Sequence, residues 1–215
     1  MTARTREARV SRARAKRAAI GGVLVAAPLA LEHALIRSGA RGARVRKTGM
    51  GPEKSLAAVE RLRGEPGHGL IVLGFCGGLD AQSRPGEVIV AEHVLATGDE
   101  GHDPVRADCH GVERLTGALS DAGLTVRQGP IVGVGKIATG ERREQLLAAG
   151  ALAVDMESAW LAAGAAGRPF AVVRVVLDSP SHELFRVQAV GGALKAAQAL
   201  RRASAVALGV WDPEG

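Results

Sequence analysis

The apolar positions of this chain follow two rhythms that take turns along its length. Short β-rich runs recur at Gly22–Ala27 (GVLVAA), Arg44–Lys47, Gly69–Leu73 (GLIVL), Glu87–Leu95, Val126–Val134, Ala151–Val154 and Phe170–Val176 (FAVVRVV). Between several of them apolar residues return every three or four positions. That spacing predicts helices over Leu29–Ser38, Glu53–Arg63, Val112–Ala122, Glu141–Ala149, Glu157–Ala166 and Val190–Gly209. Strands alternating with helices make a largely parallel sheet covered on both faces. The run at Glu87–Leu95 follows a loop and not a helix, so some mixed or antiparallel pairing is expected there. No internal repeat interrupts the pattern.

Composition narrows the classes of partner. With 215 residues and 47% hydrophobic content the chain can bury one substantial core, and no break in composition marks a second domain. The net charge of +6 suggests a polyanion binder until it is located. Residues 1–18 carry seven bases (Arg4, Arg6, Arg9, Arg12, Arg14, Lys16, Arg17) against Glu7, and the remaining 21 bases and 21 acids cancel. A basic groove for nucleic acid is therefore not expected on the body of the protein. The expected organisation is a basic, disordered tail over residues 1–20 and a domain over 21–215. The tail has no apolar stretch long enough for a signal peptide or a membrane span. Its sharper reading is salt-sensitive adhesion to anionic lipid headgroups, a peripheral contact at the inner membrane face. Cys76 and Cys109 show no metal-ligand spacing and, with no secretion signal, point to a reducing cytoplasm.

Candidate chemistry lies where strands give way to helices, because α/β folds bind ligands at the carboxyl ends of their strands. In Ala153-Val-Asp-Met-Glu-Ser-Ala159 the carboxylate of Glu157 stands at such a junction and suits the adjacent hydroxyls of a ribose. The competing reading of Glu157 is a first-turn acid favoured by the helix dipole. Gly74-Phe-Cys-Gly-Gly-Leu79 follows the third run and Gly49-Met-Gly-Pro52 the second; as isolated features such glycines are more often tight turns than ligand cradles. Neither a dinucleotide fingerprint nor a P-loop is present. His33, His93, His102 and His110 lack metal-ligand spacing, and Asp99–Asp103 reads as a solvated Gly/Asp turn, so no metal is expected. Cys76 reads as a small buried hydrophobe, and Trp160 as core or subunit interface.

Taken in order, Glu32 in the first helix, Gly49-Met-Gly-Pro52, Gly74-Phe-Cys-Gly-Gly-Leu79 with Arg84-Pro-Gly-Glu-Val-Ile-Val-Ala91, Val154-Asp-Met-Glu-Ser-Ala159 and Val173-Arg-Val-Val-Leu-Asp178 resemble the purine nucleoside phosphorylase and uridine phosphorylase superfamily, over about residues 21–209. The resemblance implies a three-layer α/β/α sandwich with a mixed, mostly parallel sheet, cleavage of the N-glycosidic bond of a nucleoside, no cofactor, and a homodimer or higher homo-oligomer. It assigns Asp178 as the acid that protonates purine N7, Glu32 as the group that positions and deprotonates water, and Glu157 as the ribose ligand. Met156 would pack on the sugar, with Phe75, Cys76, Gly77, Ile137 and Ala138 around the base. The competing readings are a solvated acid for Glu32 and a strand cap ahead of Ser179-Pro180 for Asp178.

Phosphorylases of this superfamily typically carry Gly-Asp-Pro and a nearby Arg after the first strand, to hold phosphate. Here the segment is Ala26-Ala-Pro28 followed by Glu32, which favours hydrolysis, while Arg37 and Arg174 remain candidate phosphate ligands. Phe75 stands where methylthioadenosine-type nucleosidases carry a small polar residue, Leu177 stands in place of the serine before the acid, and the chain has no Tyr. These departures make the pocket more apolar. With Gly-Met-Gly-Pro-Glu53 and Gly77-Gly-Leu-Asp80, they make the chain most similar to the nucleosidases of hopanoid biosynthesis, which remove adenine from an adenosylated hopane. The alternatives are a futalosine- or methylthioadenosine-type hydrolase and a phosphate-dependent phosphorylase. A nucleoside-binding module without turnover would tolerate loss of Asp178.

Overall fold

The computed structural model describes residues 22–98, 102–181 and 189–213; the basic tail and part of the Asp99–Asp103 loop lie outside them. Among the described residues eight strands are formed: β1 (Val23–Ala27), β2 (Arg44–Lys47), β3 (Gly69–Gly78), β4 (Val88–Ala96), β5 (Val105–Asp108), β6 (Val126–Gly133), β7 (Ala153–Asp155) and β8 (Phe170–Asp178). Between and after them run the helices α1 (Ala30–Gly39), α2 (Pro52–Gly64), α3 (Val112–Asp121), α4 (Gly140–Ala148), α5 (Ser158–Leu161) and α6 (Ala189–Val210).

All eight strands belong to one sheet, in the order β2-β1-β3-β7-β6-β4-β5, with β8 pairing β3 on one side and β4 on the other. Strands β3, β8, β4, β6 and β7 therefore close on themselves as a ring. Five of the eight pairings are parallel, and the antiparallel ones are β3 with β7 and β4 with both β5 and β8. The mixed pairing expected around Glu87–Leu95 is thus that of β4.

Side chains alternate across each strand, so the sheet feeds two separate cores. Val23, Val25, Ile71, Leu73, Val173 and Val175 face one way, against Ile36 of α1, Leu115 and Leu119 of α3, and Leu200, Ala203 and Leu208 of α6. Leu24, Ala26, Leu70, Val72, Val172 and Val176 face the other way, against Ala58 and Leu62 of α2 and Trp160 and Leu161 of α5. A smaller core of Leu79, Val132, Val134, Leu146 and Val154 seats α4 beside the ends of β6 and β7.

Three elements depart from the sequence pattern. The glycine-rich segment after Leu73 is strand and not turn, because Gly74, Phe75 and Cys76 pair with β8 and Gly77 and Gly78 with β7. β5 went unpredicted: it is an edge strand of alternating exposure with no apolar run to announce it. The helix expected over Glu157–Ala166 is one α turn followed by a 3₁₀ turn, Ala162–Ala165, ended by Ala166 in the left-handed region (φ 52°). Among the described residues no helix is long and apolar enough to cross a membrane.

Leu200 is fully buried where α6 crosses the sheet. Leu200→Ala is expected to lower unfolding free energy by about 2–5 kcal/mol. Urea denaturation of both proteins checks this, and a loss below about 1 kcal/mol would mean that α6 adds little to the core.

Candidate active site

The site begins with a charged residue in the middle of an apolar strand. Alternation along β8 turns Arg174 toward the face shared with α2 and α5, and pairing with Gly74 of β3 and Ile89 of β4 places it inside the sheet, with none of its surface exposed. A guanidinium so buried is tolerated only with opposite charge and hydrogen bonds around it. Nη2 of Arg174 lies 2.8 Å from Oδ2 of Asp155 and 3.2 Å from Oε2 of Glu157. Nε and Nη2 donate to the Ser158 hydroxyl at 3.1 and 3.0 Å, and that hydroxyl donates in turn to Asp155 Oδ2. Nη1 lies 3.9 Å from Oε1 of Glu32 and has no hydrogen-bond partner among the described residues. Burial works against the charge of Arg174, but Asp155, Glu157 and Glu32 outweigh it and hold the guanidinium protonated.

Each acid is fixed by the backbone as well. Glu32, third residue of α1, accepts the N–H of Leu29 at 2.6 Å, the N-terminal half of a capping box. Its other oxygen accepts the N–H of Phe75 in β3, also at 2.6 Å. Only 2% exposed, Glu32 is not the solvated acid that one reading of the sequence allowed. Gly74 makes room for it, since a Cβ there would strike Glu32 Oε1 and Arg174 Nη1. Asp155 accepts the N–H groups of Glu157 and Ser158 where the chain turns from β7 into α5. Glu157 accepts the N–H of Gly51 at 3.1 Å, so the Gly-Met-Gly-Pro turn, with Gly51 at φ 90°, ties the start of α2 to this acid.

Burial is the largest influence on Glu32 and raises its pKa, against the opposing pull of Arg174 and the two N–H groups. Glu157 is raised from 4.5 to about 7, by burial first and then by Asp155 and Glu32, with Arg174 and the Gly51 N–H opposing. Three acids around one guanidinium leave surplus negative charge, and that surplus favours a retained proton.

Above this cluster opens a cleft of about 170 Å³. Glu32, Glu157 and Asp178 reach it from α1, the β7–α5 junction and the end of β8, and Phe75, Cys76, Gly77, Met156, Ile137 and Ala138 complete much of its wall. The sequence-expected residues are thus gathered in one place, with two exceptions. Arg174 lies beneath the wall, its ion pairs and hydrogen bonds directed to the cluster already described, and Arg37 is exposed at the far end of α1. Burial pushes the Cys76 thiol far above its usual range, which fits a small hydrophobe and not a nucleophile.

At the other end of the cleft, a bulge between β3 and β8 sets Asp178 opposite Gly77. Its Oδ2 accepts from Nη2 of Arg143 at 2.7 Å. Arg143, Asp155 and Ser158 are the members of the site that sequence reasoning left without a role. Asp155 and Ser158 stand inside the motif that drew attention to Glu157, whereas Arg143 sits in a charged helical stretch with no signal of its own.

A ring-closing mixed sheet with a carboxylate-lined cleft at its strand ends defines a nucleoside phosphorylase-like α/β protein. Residues 33–205 match the family model described as the phosphorylase superfamily, and the chain belongs to that family. No curated protein matches it in sequence. Among solved structures it is similar to the 5′-methylthioadenosine/S-adenosylhomocysteine nucleosidase from Neisseria meningitidis in complex with methylthio-immucillin-A (TM-score 0.70, 21% identity, covering 87% of this chain and 97% of that one). The S-adenosylhomocysteine nucleosidase from Streptococcus pyogenes in complex with 5-methylthiotubericidin (TM-score 0.67, 21% identity, 85% and 95%) is comparable. So is the futalosine hydrolase of Helicobacter pylori (TM-score 0.66, 16% identity, 86% and 94%). At these identities the likeness is one of fold.

The raised pKa of Glu157 has a consequence for stability. Its folded value of about 7 lies above the ordinary 4.5, so the native state holds the extra proton between those limits. Its contribution is fully present below the unfolded pKa and is lost as pH rises through about 7, and Glu32 acts in the same direction. Unfolding free energy is expected to fall by on the order of 1–3 kcal/mol from about pH 5 to about pH 8. Glu157→Gln should flatten part of that slope in urea titrations; equal slopes for the two proteins would mean that Glu157 is ionised throughout.

Proposed function

We propose that this protein is a nucleosidase that hydrolyses the N-glycosidic bond of a purine nucleoside, releasing adenine from an adenosine with a large apolar 5′ substituent such as adenosylhopane. The observation that carries hydrolysis is the seat of Glu32. Its oxygens accept the N–H groups of Leu29 and Phe75 and face Nη1 of Arg174, so donors suited to a phosphate already hold a carboxylate. A phosphate dianion would meet that charge, whereas water would not. A buried carboxylate of raised pKa is suited to taking the proton of an attacking water.

In this reading the glycosidic bond breaks through an oxocarbenium-like sugar cation. Glu157 accepts hydrogen bonds from the ribose hydroxyls, Met156 packs on the sugar, Phe75, Cys76, Gly77, Ile137 and Ala138 surround the base, and Asp178 gives a proton to N7. Excess negative charge around Arg174 favours the cation as it forms, which is where preorganised electrostatics lowers a barrier. An apolar 5′ substituent is supported by the rim of the cleft away from the base, where Met50 is 50% exposed beside Leu29. The basic residues 1–18 would hold the protein near anionic headgroups, each worth about 1 kcal/mol. The structural likeness to nucleosidases and a futalosine hydrolase supports the reaction class.

Adenine release from a panel of 5′-substituted adenosines, including an adenosylhopane, measured with and without phosphate, tests the reading. Release is expected without phosphate and fastest for the bulky apolar substrate. A strict need for phosphate would overturn the role of Glu32, and preference for a small 5′ group would remove the lipid substrate. Asp178→Asn and Glu32→Gln are each expected to lower turnover by ~10²–10⁴. A near-wild-type rate in either variant would take that residue out of the mechanism.

A further inference from the structure

Arg143 is the only Arg or Lys in the wall of the cleft among the described residues, and it is 6% exposed. All three of its nitrogens are committed. Nε donates to the Ala138 carbonyl at 2.8 Å, Nη1 to the Gly78 carbonyl at 3.3 Å and Nη2 to Asp178 Oδ2 at 2.7 Å. The two carbonyls come from the segments that flank the base end of the cleft, so the guanidinium is held rigidly there. Gly77 lies against the pair: a Cβ on it would come within 3.1 Å of Arg143 Nη2 and 3.3 Å of Asp178 Oδ1. Oδ2 of Asp178 is thus taken by Arg143, and Oδ1 is on the Gly77 side, along the cleft wall.

Stability alone is a weak reason for such an arrangement, because burying an ion pair gains little over apolar packing of the same volume. Its place beside the reacting end of the cleft offers a better one. Resting on the nucleosidase reading, we infer that Arg143 is a positioning residue for departure of the base: it aims Asp178 Oδ1 at the purine and stabilises the carboxylate that Asp178 becomes as its proton leaves. In the step, the bond from C1′ to N9 breaks and both its electrons go to the purine, while the Asp178 proton passes to N7. The water oxygen bonds to C1′ and its proton passes to Glu32. Asp178 is left ionised beside Arg143, Glu32 is left protonated, and exchange with solvent restores both. Positive charge fixed 2.7 Å from the carboxylate acts most strongly once the proton has moved, which is the differential stabilisation that speeds a reaction.

The test compares two substrates: 5′-octylthioadenosine and its N7-methylated salt, whose base departs neutral and needs no proton. Wild type, Arg143→Met, Arg143→Lys, Asp178→Asn and the Arg143→Met/Asp178→Asn double variant are assayed on both, with thermal unfolding as the folding control. On the ordinary adenosine Arg143→Met is expected to lower kcat by about 10²-fold with KM changed less than about threefold, and Arg143→Lys to recover part of the loss. On the methylated salt the loss should shrink to within about threefold, and the double variant should be no slower than Asp178→Asn alone, because the two residues serve one proton. Equal losses on both substrates, or losses that multiply in the double variant, would reduce Arg143 to a scaffold residue. If Arg143→Met does not fold, Arg143→Lys carries the same comparison: a loss on the ordinary adenosine that shrinks on the methylated salt supports the assignment, and an equal loss overturns it. If wild type cleaves the adenosine and Arg143→Met matches it, the assignment of Arg143 falls alone; if wild type cleaves neither substrate nor any other purine nucleoside, the nucleosidase reading falls and takes it along.

Discussion

A guanidinium with no exposed surface, held at the centre of a sheet by three acids, is the constraint around which this molecule is arranged. Taking an ion out of water costs several kcal/mol, recovered only if partners arrive in good geometry. For Arg174 those partners come from distant parts of the chain: Glu32 from α1, and Asp155, Glu157 and Ser158 from the turn between β7 and α5. The acids pass the constraint outward through backbone N–H groups at Leu29, Gly51 and Phe75. One buried charge thereby ties α1, α2, β3, β7, α5 and β8 to each other, and it dictates glycine at position 74 as well.

The same cluster is electrostatically unbalanced, and the imbalance is useful. Glu32, Asp155 and Glu157 cannot all be ionised around a single cation without repulsion, which is why burial and neighbouring acids raise Glu157 to about 7. A sugar that becomes cationic supplies the missing positive charge only at the moment of reaction in the proposed chemistry. At the other end of the cleft the environment is of the opposite kind, with Asp178 paired one to one with Arg143.

Much of this was legible in the chain. Six of the seven expected strands begin within a residue of those observed, since runs such as Val23–Ala27 and Phe170–Val176 are buried on both faces and so lack any helical period. β5 escaped because an edge strand with alternating exposure has no apolar run. The Gly74–Gly78 segment looked like a turn because glycine usually marks one; here the glycines make space for side chains and not for a bend. Glu32, Glu157 and Asp178 were visible because each sits beside an element boundary within an ordered series of motifs.

The sequence by itself determined the class of fold, the element order and which acids stand at the strand ends, because hydrophobic period and glycine placement are local properties of the chain. Only the tertiary structure decided which charges meet. That Glu32 fills two backbone donors, that Arg174 lies under the cleft and outside its wall, and that Arg143 grips Asp178 across 35 positions all depend on through-space distances that no local pattern encodes. Electrostatics inside a protein is set by burial and by partners a few ångströms away, and both exist only once the sheet has closed.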